Sequence, residues 1–321
     1  MIDDFYKLAD EAFDAGNYEK AIEYYDKLIF YNGDEAEVYN LRGLAKYNLE
    51  KYEEAIKDFN AAIKLDDNNA ETYYNIALAE QELGNYEKAI EYYTKSIDID
   101  ASIEDVYNDR GLCYYNAKEY EKAIEDFNYA ININGYNEES YYNRGVAEYN
   151  LEYYESALYD FDRAIEINPN YSKAYNKRAN TKIELNYDEE DIISDYDKAI
   201  EINNNSLEAY INKSLYYTNN DKYEEALSNY NKAIELYYEY NRLEEGYWVL
   251  YLNRARIKLN FAETNENPKK LYDEALEDIK KSYKLASVNE NYLIKFKELL
   301  LVLANEGFEI VIDFCKELKL L

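Results

Sequence analysis

A chain of 321 residues with 67 acidic against 36 basic side chains, a formal net charge of −31, lacks the cations needed to displace counterions from a phosphate backbone, so nucleic acid is excluded as a partner. There is no histidine, and the two cysteines, Cys113 and Cys315, make neither a disulfide framework nor a zinc site, so no metal, no cofactor and no catalytic residue is expected. The acidic start Met1-Ile2-Asp3-Asp4-Phe5 enters a repeated segment at once and no apolar run approaches the ~18 residues of a membrane span, so the protein is expected to be cytoplasmic with no membrane partner.

From the N-terminus onward, a phrase built on Tyr-Glu-x-Ala returns with its alanine at Ala21, Ala55, Ala89, Ala123 and Ala157, 34 residues apart each time. One extra residue shifts the register to Ile192, after which Ala226 and, beyond a longer insertion, Ala275 continue it. Self-similarity at this period predicts a stack of supersecondary units that bury a continuous core between neighbours.

Numbering each repeat so that this residue is position 20, position 8 is always small, from Ala9 and Gly43 to Ser214 and Ala255. Position 27 is small in nearly every repeat, and position 4 is aromatic throughout, from Phe5 and Tyr39 to Tyr251. Small residues let two antiparallel helices, A and B, approach to ~8 Å, and aromatics at positions 4, 17 and 24 fill the gaps. Clusters such as Asn32-Gly33, Asp66-Asp67-Asn68-Asn69, Asn134-Gly135 and Asn203-Asn204-Asn205 mark the repeat boundaries, and Ala15-Gly16-Asn17 and Leu83-Gly84-Asn85 mark turns between A and B.

These residues resemble the tetratricopeptide repeat family, whose 34-residue hairpin has an aromatic at position 4, small residues at 8, 20 and 27, and aromatics near 11, 17 and 24. The resemblance implies an all-α, right-handed superhelical α-solenoid of about eight hairpins. The family's proline at position 32 survives only as Pro169, and its leucine at position 7 is often arginine here.

The eighth repeat carries about seven extra residues before Tyr251 and about eight between Ala255 and Ala275, which predicts long helices. Residues 289–321 keep an apolar helical pattern, and Gly307-Phe308-x-x-Val311-x-x-x-Cys315 echoes a degenerate ninth repeat. The expected organisation is therefore a repeat array over residues 1–285 and capping helices over 286–321.

Position 7 is arginine in five repeats, at Arg42, Arg110, Arg144, Arg178 and Arg254, and position 23 is aspartate in the same five, at Asp58, Asp126, Asp160, Asp195 and Asp278. The other repeats have Leu8 with Tyr24, Ile76 with Tyr92, and Lys213 with Asn229. Covariation among the repeats predicts a structural ion pair inside each hairpin.

The family resemblance implies that partner segments lie on the concave surface lined by helix A at positions 2, 5, 6, 9, 12 and 13. Position 2 is acidic in six of eight repeats, including Glu37, Glu71, Asp105 and Glu139. Each of repeats 2–8 carries an asparagine at position 5 or 6, at Asn40, Asn75, Asn108, Asn143, Asn176, Asn212 and Asn253. A ladder of amides, each both donor and acceptor, is suited to a peptide backbone. Tyr47, Tyr115 and Tyr149 at position 12 add aromatic surface.

These features predict a non-enzymatic scaffold that takes an extended or helical, basic or amphipathic segment of a partner protein. The cations needed to clamp an acidic chaperone tail, as some family members do, are absent at Asn176, Val249 and Asn253. The chain is expected to be a monomer with weak self-association at most; a self-associating assembly module, acting through the long eighth repeat and the apolar end Leu318-Lys319-Leu320-Leu321, is the alternative. A carboxylate enzyme would need two carboxyls about 5–9.5 Å apart in a pocket, and acids recurring repeat by repeat single out no such pair.

Overall fold

The computed structural model describes residues 2–32, 35–239 and 247–321. Among these the chain forms eighteen α-helices and no strand. It packs as two compact bodies, Met1–Pro169 and Asn170–Leu321.

In the first body the hairpins are α1 (Ile2–Asp14) with α2 (Tyr18–Asn32), α3 (Ala36–Asn48) with α4 (Tyr52–Leu65), and α5 (Ala70–Glu82) with α6 (Tyr86–Ile99). They continue as α7 (Glu104–Asn116) with α8 (Tyr120–Ile133) and α9 (Glu138–Asn150) with α10 (Tyr154–Ile167). The second body holds α11 (Ser172–Glu184) with α12 (Glu189–Ile202), α13 (Leu207–Asn219) with α14 (Tyr223–Glu239), α15 (Tyr247–Thr264) with α16 (Pro268–Ala286), and α17 (Glu290–Asn305) with α18 (Glu309–Glu317). Within each body a helix touches its hairpin partner and its sequence neighbours, as a quasi-one-dimensional stack requires. The long helices expected of the eighth repeat are α15, with 18 residues, and α16, with 19. Gly33 and the insertion before Tyr247 lie outside the described residues.

The turn from A to B follows one design. In the first hairpin the Asn17 amide donates to the Ala12 carbonyl at 2.8 Å and Gly16 to Phe13 at 2.9 Å, which closes a Schellman motif around a left-handed residue at position 15. The same pair of bonds ends α3, α5, α7, α9, α11 and α13. Glycine fills the left-handed position at Gly16 and Gly84, but Glu50, Lys118, Glu152, Asn186 and Asp221 occupy it with φ of 56–63°.

Position 20 is sealed everywhere: Ala21, Ala55, Ala89, Ala123, Ala157, Ala226 and Ala275 have no exposed surface. Position 8 and position 24 are matched to one another. Gly43, Gly111 and Gly145 stand opposite Phe59, Phe127 and Phe161, and a Cβ at those glycines would lie 2.5, 2.7 and 3.0 Å from the ring. Where position 8 is Ala9, Ala77 or Ala179, position 24 is the buried tyrosine Tyr25, Tyr93 or Tyr196.

All five arginine–aspartate pairs form as two-pronged contacts. Nε and Nη2 of Arg42 lie 2.8 and 2.6 Å from Asp58, and Arg110, Arg144, Arg178 and Arg254 repeat this on Asp126, Asp160, Asp195 and Asp278 at 2.5–2.9 Å. The free Nη1 reaches further than expected, to position 25 of the preceding helix B: Asp26, Thr94, Asn128 and Asn231 accept it from Arg42, Arg110, Arg144 and Arg254 at 2.5–2.9 Å. One planar guanidinium therefore fixes three helices. Lys213 keeps only the second link, to Asp197 at 2.5 Å.

Candidate functional site

The site is built on helix A, because regularly stacked A helices bring equivalent positions of successive repeats into rows. At position 2, in the first helical turn, Glu37, Glu71, Asp105 and Glu139 are all exposed. The partial positive charge of the helix start favours them there. None of the four has a hydrogen bond or an ion pair through its carboxylate among the described residues, so the row presents its charge to solvent. In the second body the pattern is broken, since Glu208 is bound by Lys177 at 3.1 Å.

The amides at positions 5 and 6 are arranged otherwise than as independent peptide-bonding groups. Asn75 donates to Asn40 at 3.1 Å, Asn143 to Asn108 at 3.1 Å, and Asn212 to Asn176 at 3.2 Å. Asn40, Asn75, Asn108 and Asn176 are buried, while Asn143 and Asn212 are half-buried. Position 5 of one repeat faces position 6 of the next, 35 or 36 residues on, so the amides stitch neighbouring A helices and spend one donor or acceptor each on one another. Asn253 lacks this amide partner because position 5 of its preceding repeat is Ile211.

The same stitch between repeats 3 and 4 uses different chemistry, and the sequence reading passed over it. The Tyr74 hydroxyl donates to Asp109 at 2.8 Å. Burial, together with Asp105 and Glu139, pushes the Asp109 carboxyl up to about 6, against the opposing pull of the Tyr74 and Asn108 hydrogen bonds. The 35-residue spacing shared with Asn40 and Asn75 is the signal that could have found it. Asp105, Asp109 and Glu139 thus form a cluster of acids close enough to act on one another on the helix-A face of the first body.

The aromatic row is half-buried and packed within hairpins. Tyr47 lies on Tyr52, Tyr115 on Tyr120 and Tyr149 on Tyr154, with ring centroids 5.3, 5.4 and 5.3 Å apart. The Tyr115 hydroxyl also accepts from Asn150 at 3.2 Å, across to the next repeat. These rings brace the A–B turns and leave part of each edge open.

Cys113 and Cys315 are buried free thiols. Among the described residues no group of three His, Cys, Asp or Glu is placed to hold a metal ion, and no helix is long and apolar enough to cross a membrane.

With this geometry in place, comparison with known families is decisive. Tetratricopeptide repeat profiles match residues 6–70, 70–102, 104–137, 138–171 and 207–240. The chain belongs to the tetratricopeptide repeat family. Solved tetratricopeptide structures share the fold. One from Parabacteroides merdae is 19% identical, covers 81% of this chain and 97% of its own, and superposes with a TM-score of 0.60. The C-terminal part of a repeat protein from Cytophaga hutchinsonii is 24% identical, covers 72% and 94%, and gives 0.58. YrrB, a tetratricopeptide repeat protein with an unusual peptide-binding site, is 20% identical, covers 58% and 95%, and gives 0.50. No curated protein sequence matches the chain. Tetratricopeptide repeats are an interaction fold, and the stacked hairpins make this protein a scaffold of that kind.

Proposed function

We propose that this tetratricopeptide repeat protein is a non-enzymatic scaffold whose helix-A face takes a basic or amphipathic segment of a partner protein. The observation that carries the reading is the row Glu37, Glu71, Asp105 and Glu139, exposed and without partners of their own. Asp109 deepens the charge at the middle of that row. Tyr47, Tyr115 and Tyr149 supply stiff amphipathic edges, and the half-buried amides of Asn143, Asn212 and Asn253 supply donors for backbone carbonyls, while Asn40, Asn75, Asn108 and Asn176 are buried and hold the A helices in register. Residues 286–321 close the array as its capping segment. That YrrB carries a peptide-binding site on the same fold is consistent with this use of the surface.

Capture from native lysate on immobilised wild type, beside a variant with Glu37, Glu71, Asp105 and Glu139 changed to Lys, tests the proposal. A basic protein held by the wild type and lost by the variant supports it. The same protein held equally by both rejects it.

Self-association is the second reading, favoured by Ile294, Leu299 and Val302, apolar side chains of α17 that are 44–56% exposed. Light scattering that shows a monomer at high concentration would remove it.

A further inference from the structure

Position 11 of helix A decides what surrounds the buried aspartate at position 23. Lys46, Lys182 and Lys258 stand there in repeats 2, 6 and 8, and their ammonium groups lie 2.8, 2.8 and 2.9 Å from Asp58, Asp195 and Asp278. Each of those aspartates therefore meets two cations, the lysine and the arginine of position 7. Repeat 5 has Glu148 at this place. The facing Asp160 is 1% exposed, and its two oxygens already accept Arg144 Nε and Nη2 at 2.7 and 2.6 Å. Glu148 thus stands where the sister repeats place a lysine, beside a carboxylate whose one bound cation is Arg144, and Glu148 Oε2 is sealed from water without a hydrogen-bond partner.

We propose that Glu148 and Asp160 hold one proton between them and that this proton keeps the α9–α10 hairpin closed. Two carboxylates ionised together at contact, out of water, repel, whereas one protonated carboxyl donates to the other. The charges that face Glu148 are Asp160 on α10 and Arg144 on α9 itself. From α8 the nearest group in the network is the neutral amide of Asn128, which accepts Arg144 Nη1 at 2.5 Å, and α7 brings no charge to it.

Burial first, then the Asp160 charge, push the Glu148 carboxyl up to about 8, from an ordinary value of about 4.3. A raised acid binds its proton more tightly in the folded chain than in the unfolded one. The stability it lends is therefore whole below the ordinary carboxylate range and is lost as pH climbs through about 8. The hairpin affected is the one that carries Glu139, Asn143 and Tyr149, so alkaline conditions loosen one defined joint of the helix-A face while the lysine-bearing α3–α4 hairpin holds.

Amide hydrogen exchange on the whole protein between pH 6 and pH 9, expressed as protection factors, tests this with α3–α4 as the internal reference. Protection in α9–α10 is expected to fall by about tenfold or more relative to α3–α4. Glu148→Gln, which cannot ionise, and Glu148→Lys, which restores the arrangement of the sister repeats, are expected to abolish that fall. Equal pH dependence of the two hairpins in the wild type overturns the proposal, as does a carbon-13 titration that places the Glu148 carboxyl in the ordinary carboxylate range.

Discussion

Arg110 and Asp126 show how much one side-chain pair contributes to this fold. Asp126 is 3% exposed, and its burial raises its carboxyl despite the Arg110 guanidinium that holds it. Removing one partner strands a buried charge, so Arg110→Ala or Asp126→Ala is expected to destabilise by about 3–5 kcal/mol in urea unfolding. The double change Arg110→Ile with Asp126→Tyr copies the Ile76 and Tyr92 pair of repeat 3 and is expected to recover much of that loss. The pairing itself was readable, because five arginines and five aspartates vary together. The third contact, to position 25 of the preceding helix, was not, because Asp26, Thr94, Asn128 and Asn231 share an acceptor oxygen rather than a residue type. Asp109 carries a pH prediction at the same scale. Its carboxyl is raised to about 6, so it is charged above that pH and increasingly neutral below it. Binding of a basic segment is expected to weaken as pH falls through about 6, and Asp109→Asn is expected to flatten that dependence in a calorimetric titration.

Within single hairpins, helix count, helix order and the small-residue contacts follow from the 34-residue period, because packing at positions 8 and 20 admits few alternatives. The turn conformation was only partly legible. Gly16 and Gly84 announce a left-handed residue, whereas Lys118 and Glu152 adopt the same conformation against their preference, with φ of 61° and 63°. A left-handed L-residue costs about 1–2 kcal/mol, so Lys118→Gly and Glu152→Gly are each expected to raise the unfolding free energy by about 1 kcal/mol. The opposite sign is expected at position 8, where the Cβ of Gly111→Ala would meet the Phe127 ring at 2.7 Å. That change should cost about 1–3 kcal/mol by overpacking, and Phe127→Leu beside it should relieve part of the loss. The amide row marks where pattern reading stops. Asparagine at position 5 in one repeat and position 6 in the next looks like a ladder offered to a ligand, yet a 35-residue separation places the two side chains against one another.

Across the whole chain, net charge and repeat period act together. A charge of −31 is distributed by a regular fold, so acids at equivalent positions become rows instead of scattered points. The row Glu37, Glu71, Asp105 and Glu139 differs from the acids at position 23 in one respect that decides its role: the latter are buried and bound by arginine, and the former are exposed and unbound. Charge that is neither neutralised nor buried attracts cationic segments over about a Debye length, and the attraction is screened by salt. The measurement that tests the scaffold account most directly is a calorimetric titration of the captured basic segment at low and high salt, on wild type and on the variant with Glu37, Glu71, Asp105 and Glu139 changed to Lys. Affinity on the wild type is expected to weaken by about tenfold or more between 50 and 500 mM salt, roughly, with little binding to the variant at either. Affinity that is unchanged by salt and equal on the two proteins would contradict it.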